Sequence, residues 1–137
     1  MTAEGAAPAL VLLVDDAADN RAVYGELLRA SGYRVAEAAD GREAIARGRE
    51  LAPDIVVMDL SLPLLDGWAA IRALKGDPRA ASIPIVALSG HTRPEHARRA
   101  EEAGCDAFLR KPCPPALLLE TLRELLARRD APAGRPG

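Results

Sequence analysis

The sequence predicts an α/β protein in which a five-stranded parallel sheet lies between two layers of helices. Three observations favour this fold class. Apolar runs of strand length alternate along the chain with segments of helical periodicity, the connections between them are short, and several runs are apolar throughout. A wholly apolar run is typical of a strand that is buried on both faces of a parallel sheet. Alternating strands and helices with short connections require right-handed crossovers, and therefore a three-layer sandwich.

Five segments are predicted to be strands. The first, third and fourth are almost entirely apolar and cover residues 9–14, 54–59 and 83–88. The second, residues 34–38, is less apolar, so we expect it at an edge of the sheet. The fifth covers residues 106–110. The third strand is expected at the centre, and the other elements are arranged around it.

Five helices are predicted, one after each strand. They begin near Asp19, Asp40, Asp66, Thr92 and Pro114. The first carries Val23 and Leu27 on one line and ends at Gly32, a common helix terminator. The second ends before Pro53, because the residue before a proline is biased away from helix. The fourth presents mostly alanines inward, so we expect it to be the most loosely held.

The chain has the length of one ordinary domain, 137 residues. We expect a flexible N-terminal tail over residues 1–8, one domain over residues 9–129 and a disordered tail over residues 130–137. Cys105 and Cys113 flank the fifth strand too far apart for a disulfide, so both are predicted to be free thiols.

Charge and hydropathy exclude several classes of partner. The net charge is −2 and no long block of like charges occurs, which argues against nucleic acid or an anionic membrane as a partner. No uninterrupted run of about 18 apolar residues is present, and the first residues form no signal peptide. The protein is therefore predicted to be cytoplasmic.

Acidic residues stand at the ends of two buried strands. Asp15 and Asp16 follow the first strand, and Asp59 ends the third. The strand order is left open by the sequence, but the common flavodoxin-like order 2-1-3-4-5 would place these two strands side by side at the crevice where ligands bind. Three carboxylates there would repel one another unless a cation binds among them. Ligation by oxygen atoms alone favours Mg²⁺.

The other two strand ends supply a hydroxyl and an ammonium group. Ser89 follows the fourth strand and Lys111 follows the fifth. Together with a metal ion, these groups are suited to a carboxylate nucleophile that receives a phosphoryl group. The metal and the lysine would neutralise the phosphoryl oxygens, and the serine would add a hydrogen bond.

These positions resemble the receiver domain of two-component response regulators. The resemblance also includes the Leu-Pro-Leu-Leu-Asp-Gly run at residues 62–67 and the Lys111-Pro112 pair, and it extends over about residues 9–129. It is specific, because five separated positions agree in type, order and spacing. The resemblance implies that Asp59 is the phosphoacceptor. It also implies Mg²⁺ as the cofactor, held by Asp15, Asp16, Asp59 and the backbone carbonyl of Ser61.

The resemblance implies a switch as well as an acceptor. Ser89 would be the hydroxyl that moves to the phosphate, Lys111 its ionic partner, and Phe108 the aromatic rotamer switch. The Lys111-Pro112 peptide bond is expected to be cis, as is usual in the family. Ser61 and His91 occupy positions that vary among relatives, and there the resemblance suggests tuning of the phosphoryl lifetime.

The resemblance covers nearly the whole sequence, and in this it is to the stand-alone receivers of chemotaxis and cell-cycle phosphorelays. The resemblance therefore implies a single-domain response regulator, phosphorylated by a histidine kinase or a histidine phosphotransfer protein. It implies a signalling switch rather than an enzyme, one that promotes its own phosphoryl transfer and dephosphorylation. The output protein would bind the face formed by the fourth helix, fifth strand and fifth helix, where Arg99 and Arg110 lie.

Three alternatives compete with this interpretation. A phosphatase of the haloacid dehalogenase kind needs an acid/base aspartate two residues after its nucleophile, where this chain has Ser61. A flavodoxin-like cofactor binder needs a hydroxyl- or glycine-rich phosphate loop after the first strand, but Asp15 and Asp16 would repel a phosphate without an intervening cation. A docking module that works without phosphorylation is disfavoured because no acceptor-site group is missing.

Overall fold

The structure, a computed structural model, describes residues 8–60, 66–90, 98 and 101–129. Five strands form a parallel sheet in the order β2-β1-β3-β4-β5, which confirms the flavodoxin-like arrangement. The strands are β1 Leu10–Val14, β2 Arg34–Ala38, β3 Ile55–Asp59, β4 Ile85–Ser89 and β5 Ala107–Arg110. Every residue of β3 and β4 is buried, as their apolar sequences predict, whereas β2 is partly exposed at an edge of the sheet.

The fourth strand begins two residues later than predicted. Residue 84 is a proline, which has no backbone N–H to donate to a neighbouring strand. The carbonyl of Pro84 still accepts a hydrogen bond from the N–H of Val56 at 3.0 Å, and regular pairing with β3 begins at Ile85. At its other end β4 extends one residue further than predicted, so Ser89 is the last residue of the strand rather than the first residue after it.

Helices lie on both faces of the sheet. They are α1 Ala18–Ala30, α2 Gly41–Leu51, α3 Asp66–Lys75 and the C-terminal helix Pro115–Arg129. After α1, Gly32 adopts a φ of 98°, and after α2, Ala52 adopts a φ of 46° directly before Pro53, so both predicted helix ends are confirmed. Of the predicted fourth helix, Arg98 and residues 101–103 are helical, and the rest lies outside the described residues.

Two apolar layers hold the helices to the sheet. Successive strand residues point to opposite faces, so each strand contributes to both layers. On one face the strands pack against Leu28 of α1 and Leu118 and Leu122 of the C-terminal helix. On the other face they pack against Ala44 of α2 and Ile71 of α3. The predicted three-layer fold is therefore confirmed.

Three smaller predictions concern the tails, the thiols and the membrane. The tails lie outside the described residues, except for Pro8. Cys105 and Cys113 are free, as predicted. Burial raises the pKa of the Cys105 thiol to about 11, and burial also raises the pKa of Cys113, so neither is an activated thiol. In the part of the chain that the structure describes, no helix has the length and apolar character needed to span a bilayer.

Candidate functional site

The predicted site residues lie together at the carboxyl edge of the sheet. Asp15 follows β1 directly, and Asp59 is the last residue of the neighbouring strand β3. Ser89 ends β4, and Lys111 follows β5. The backbone N–H of Lys111 donates to the carbonyl of Ser89 at 2.8 Å and so ties the ends of these two strands together. The strand order thus assembles one site from four strand ends.

Three carboxylates form a cluster at this edge. Asp15, Asp16 and Asp59 each offer one carboxylate oxygen, and these three atoms all lie within 4.8 Å of one another. Asp15 and Asp59 are buried, with exposed fractions of 1% and 2%, whereas Asp16 is exposed. The cluster is therefore open to solvent on the side of Asp16 and enclosed by the sheet on the other.

Lys111 supplies a positive charge to the cluster. Its Nζ atom donates a hydrogen bond to Oδ2 of Asp59 at 2.8 Å. The side chain of Asp59 is only 3% exposed, so this ion pair is formed largely away from water. A buried carboxylate is costly unless it is paired and hydrogen-bonded, and Lys111 meets part of that requirement.

The surroundings of Asp15 favour the protonated form of its carboxyl group. The pKa of Asp15 is raised from 3.8 to about 6, mainly by burial, and the neighbouring Asp59 acts in the same direction. The N–H of Ala17, which donates to Oδ1 of Asp15 at 2.8 Å, acts against this shift, as does the charge of Lys111. A cation bound between Asp15 and Asp59 would relieve the repulsion between them.

A further side chain, Arg21 of α1, contacts the cluster and was missed in the sequence. Its Nη1 atom donates to the backbone carbonyl of Asp15 at 2.6 Å. Its Nε atom donates to Oε1 of Glu37 on β2 at 3.1 Å. No sequence signal identifies this contact, because it depends on how α1 is rotated against the end of β1.

The remaining predicted residues fall into two groups. Ser89 is fully buried at the end of β4, and Phe108 of β5 is half-buried against the core layer that contains Trp68. The Lys111-Pro112 peptide bond is cis, as the resemblance implies. Ser61 and His91, by contrast, lie outside the described residues.

The donor set fits a hard divalent cation. Carboxylate oxygens from three residues lie within 4.8 Å of one another, and among the described residues no nitrogen or sulfur ligand belongs to the group. Mg²⁺ prefers such oxygen ligands and keeps part of its water shell, which the exposed side of Asp16 leaves room for. Asp15, Asp16 and Asp59 are therefore the residues suited to hold the ion.

Comparisons with known proteins agree with this geometry. The family model of the response regulator receiver domain matches residues 11–123. The polar-differentiation response regulator DivK of Brucella anthropi is 31% identical over 119 residues, which are 87% of this chain and 97% of DivK. The gliding motility regulatory protein of Myxococcus xanthus is 44% identical over 101 residues, 74% of this chain. The chain spans 13% of that protein, and about half (52%) of the transcriptional regulatory protein PrrA of Mycobacterium leprae.

Solved structures show the same similarity. The chemotaxis protein CheY4 of Vibrio cholerae superposes with a TM-score of 0.81 at 34% identity, covering 87% of this chain and 99% of CheY4. The receiver domain of the sensor histidine kinase PA1611 of Pseudomonas aeruginosa, which has a magnesium ion coordinated in its active-site cleft, superposes with a TM-score of 0.82 at 32% identity. That alignment covers 88% of this chain and 99% of the other. The chain therefore belongs to the response regulator receiver domain family of two-component signalling.

Proposed function

We propose that Asp59 accepts a phosphoryl group from a histidine kinase or a histidine phosphotransfer protein, and that this modification switches the binding of a protein partner. The position of the Asp59 carboxylate carries the proposal. It lies 2.8 Å from the ammonium of Lys111 and within 4.8 Å of two further carboxylates that are suited to a metal ion. The ammonium of Lys111 on one side and a bound metal ion on the other would supply the positive charge that phosphoryl transfer to a carboxylate requires.

In the proposed reaction, a carboxylate oxygen of Asp59 attacks the phosphorus atom of a phosphohistidine. The new O–P bond forms as the N–P bond breaks, and the imidazole leaves with the electron pair. Mg²⁺, when bound, supplies neutralisation of the negative phosphoryl oxygens. Lys111 remains protonated and pairs with the phosphoryl group after transfer. The buried position of Asp59 restricts the directions from which a donor or a water molecule can approach its carboxylate.

The proposed metal site consists of Asp15, Asp16, Asp59 and the backbone carbonyl of Ser61. The geometry of the three carboxylates and the raised pKa of Asp15 support the first three ligands. The magnesium ion in the similar PA1611 receiver domain supports the choice of metal. The part of Ser61 rests on the family resemblance alone.

The proposed switch uses Ser89 and Phe108. The hydroxyl of Ser89 would donate to the new phosphate, and the loop after β4 would move with it. Phe108 lies opposite Ala87, two residues before Ser89, in the register of β4 and β5. A half-buried ring at this position is able to move further inward when the loop shifts, which would change the outer surface of β5.

The proposed output face is formed by the predicted fourth helix, β5 and the C-terminal helix. Arg110, the last residue of β5, is exposed there, whereas Arg99 lies outside the described residues. We further propose that the protein acts in the cytoplasm as a switch that promotes its own phosphoryl transfer and dephosphorylation. Two free thiols are compatible with a reducing compartment.

Incubation with acetyl phosphate tests the acceptor without knowledge of the donor protein. Intact mass is measured for the wild type with Mg²⁺, for the wild type with EDTA, and for Asp59→Asn with Mg²⁺. We expect a gain of about 80 Da, one phosphoryl group, in the first sample only, and its loss on treatment with hydroxylamine, which cleaves acyl phosphates. Asp54→Asn, which removes a carboxylate at the opposite end of β3, is the control and should be phosphorylated like the wild type.

Two results would contradict the proposal. A mass gain that persists in Asp59→Asn would assign the acceptor to another residue. No gain in the wild type with acetyl phosphate, carbamoyl phosphate or phosphoramidate would instead favour a docking module that works without phosphorylation.

A further inference from the structure

Arg21 links the acidic cluster to the edge strand of the sheet. The side chain is 19% exposed and makes two contacts with different elements. Nη1 donates to the carbonyl of Asp15 at 2.6 Å, and Nε donates to the carboxylate of Glu37 on β2 at 3.1 Å. A guanidinium group has its donors in a fixed plane, so two simultaneous contacts determine its orientation.

We propose that Arg21 is a positioning residue for the divalent cation, holding the Asp15-Asp16 peptide so that the Asp16 carboxylate faces Asp15 and Asp59. This inference rests on the proposed metal site and adds to it a residue that supplies no ligand atom. The residue acts through the carbonyl of Asp15, which belongs to the same peptide unit as the nitrogen of Asp16.

The geometry of the turn explains why such a residue is needed. Asp15 is anchored by its N–H, which donates to the carbonyl of Ala38 at 3.1 Å, and by its carboxylate, which accepts from Ala17. Asp16 follows the end of the strand and is exposed, so packing against the core does not fix the direction of its side chain. The contact between Arg21 and the Asp15 carbonyl therefore restrains the peptide plane from which the Asp16 side chain projects.

Glu37 keeps Arg21 in place and also pairs with a second arginine, Arg29, which offers a control. The second carboxylate oxygen of Glu37 lies 3.6 Å from Nη2 of Arg29, another arginine of α1. Arg29 thus shares the helix, the charge and the acidic partner of Arg21. In the contacts described, Arg29 hydrogen-bonds neither Asp15 nor any other member of the carboxylate cluster, which makes Arg29→Gln a matched control.

Charge and positioning predict opposite effects for Arg21→Gln. Removal of a positive charge close to a cation site strengthens cation binding if electrostatics alone matters. Loss of a positioning contact weakens binding, and residues that orient metal ligands typically change affinity by about 10–100-fold. Arg21→Lys separates the effect of charge from the effect of positioning. It keeps the positive charge but loses the planar guanidinium group that contacts both Asp15 and Glu37.

The test is a titration of the ¹⁵N-labelled, unphosphorylated protein with Mg²⁺, followed by the amide shifts of the residues around the cluster. We expect the Kd for Mg²⁺ to rise about tenfold in Arg21→Gln, to rise in the same direction in Arg21→Lys, and to stay unchanged or fall slightly in Arg29→Gln. The same spectra report whether each variant is folded, and Arg21→Lys serves alone if Arg21→Gln does not fold.

The outcomes separate this inference from the proposed function. If the wild type binds Mg²⁺ and both Arg21 variants bind it as well as Arg29→Gln does, Arg21 is only a structural tie between α1 and β2, and the inference is wrong while the metal site stands. If the wild type does not bind Mg²⁺, the metal site itself is wrong and the inference falls with it.

Discussion

Nζ of Lys111 lies 2.8 Å from Oδ2 of Asp59, and this ion pair joins the end of β5 to the end of β3 across the intervening strand β4. The same carboxylate belongs to the cluster that is suited to a divalent cation. A metal ion bound there would therefore share the Asp59 carboxylate with the lysine, and each would lower the cost of its buried charge. The stability of the metal-free protein should depend on the lysine more than that of the metal-bound protein does.

Lys111→Met should lower the free energy of unfolding in EDTA by about 1–3 kcal/mol, because the buried Asp59 loses its charged hydrogen-bond donor. Saturating Mg²⁺ should restore much of that loss, since the ion then neutralises the same cluster. Urea denaturation in EDTA and in Mg²⁺ measures both quantities.

The matched control for this prediction is Lys75→Met. Lys75 forms an ion pair of 2.9 Å with Asp106 and has an exposed fraction of 20%, close to the 19% of Lys111, but it lies at the other end of the sheet. Lys75→Met should also destabilise the protein, but the gain in stability on addition of Mg²⁺ should be no larger than that of the wild type. Equal responses in the two variants would mean that Lys111 is not coupled to the cluster.

The raised pKa of Asp15 predicts how the stability of the metal-free protein depends on pH. This pKa is raised from 3.8 to about 6, mainly by burial, so the unfolded chain loses the proton first as the pH rises. The stability that Asp15 contributes is therefore complete below pH 3.8 and is lost as the pH rises through about 6. In EDTA at neutral pH, Asp15→Asn should be more stable than the wild type by about 1–3 kcal/mol, and the difference should vanish in acid.

Thermal or urea unfolding across this pH range, always in EDTA, checks the prediction. Asp16→Asn is the control, because it removes a carboxylate of the same cluster from an exposed position and should change stability less. A wild type that is stabilised between pH 4 and 6 as the pH rises, relative to Asp15→Asn, would show that the sign is wrong.

The lowered pKa of Asp54 predicts that its contribution to stability depends on pH in the opposite direction. Burial alone raises the pKa of Asp54, but the N–H of Leu10 and the guanidinium of Arg129 outweigh it, and the net effect lowers the pKa below 3.8. Its contribution to stability is therefore present when the pH is above the pKa of Asp54 in the unfolded chain. It is lost as the pH falls through the lower pKa of Asp54 in the folded protein. Asp54→Asn should cost about 0.5–1 kcal/mol at neutral pH, a value reduced by partial exposure of the pair.

The cost of Asp54→Asn should disappear at the acid end of a series of urea denaturation curves. Asp40→Asn is a suitable control, because asparagine caps a helix about as well as aspartate does and the bond to the N–H of Glu43 is kept. If Asp54→Asn were as harmful in acid as at neutral pH, the ion pair with Arg129 would not be the cause.

Much of the fold and most of the site could be predicted from the sequence. The strands β1, β3 and β4 are buried on both faces and are therefore almost entirely apolar, so the local sequence pattern is sufficient to identify them. Asp15, Asp59, Ser89 and Lys111 were identifiable because each stands at a strand end, and parallel strands bring those ends to one edge.

The details that depend on how helices are placed against the sheet could not be predicted. Val23 lies on the predicted apolar line of α1 but is 66% exposed, because the helix turns Leu28 and Gly25 inward instead. The contact between Arg21 and Asp15 depends on the same rotation. Helical periodicity identifies a face only to within about one residue, and here small residues at the contact decide which face is buried.

Gly48 of α2 is such a contact residue and carries the last prediction. A Cβ atom at this position would lie 2.7 Å from Cδ2 of Leu74 on α3, whose side chain is fully buried. Alanine favours helix over glycine by about 1 kcal/mol, but overpacking of a filled core costs about 1–3 kcal/mol. Gly48→Ala should therefore destabilise the protein by about 1 kcal/mol in urea denaturation.

Gly25→Ala in α1 is the control that isolates the clash. Its Cβ would meet the guanidinium of Arg29 at 3.3 Å, but Arg29 is 52% exposed and its 3.6 Å ion pair with Glu37 is loose enough to adjust. The helix preference of alanine should therefore dominate and stabilise the protein. Leu74→Ala removes the atom that obstructs Gly48→Ala, and in that background the Gly48 substitution should become stabilising as well. If Gly48→Ala were stabilising in the presence of Leu74, α2 and α3 would have to pack less closely than the contact between Gly48 and Leu74 requires.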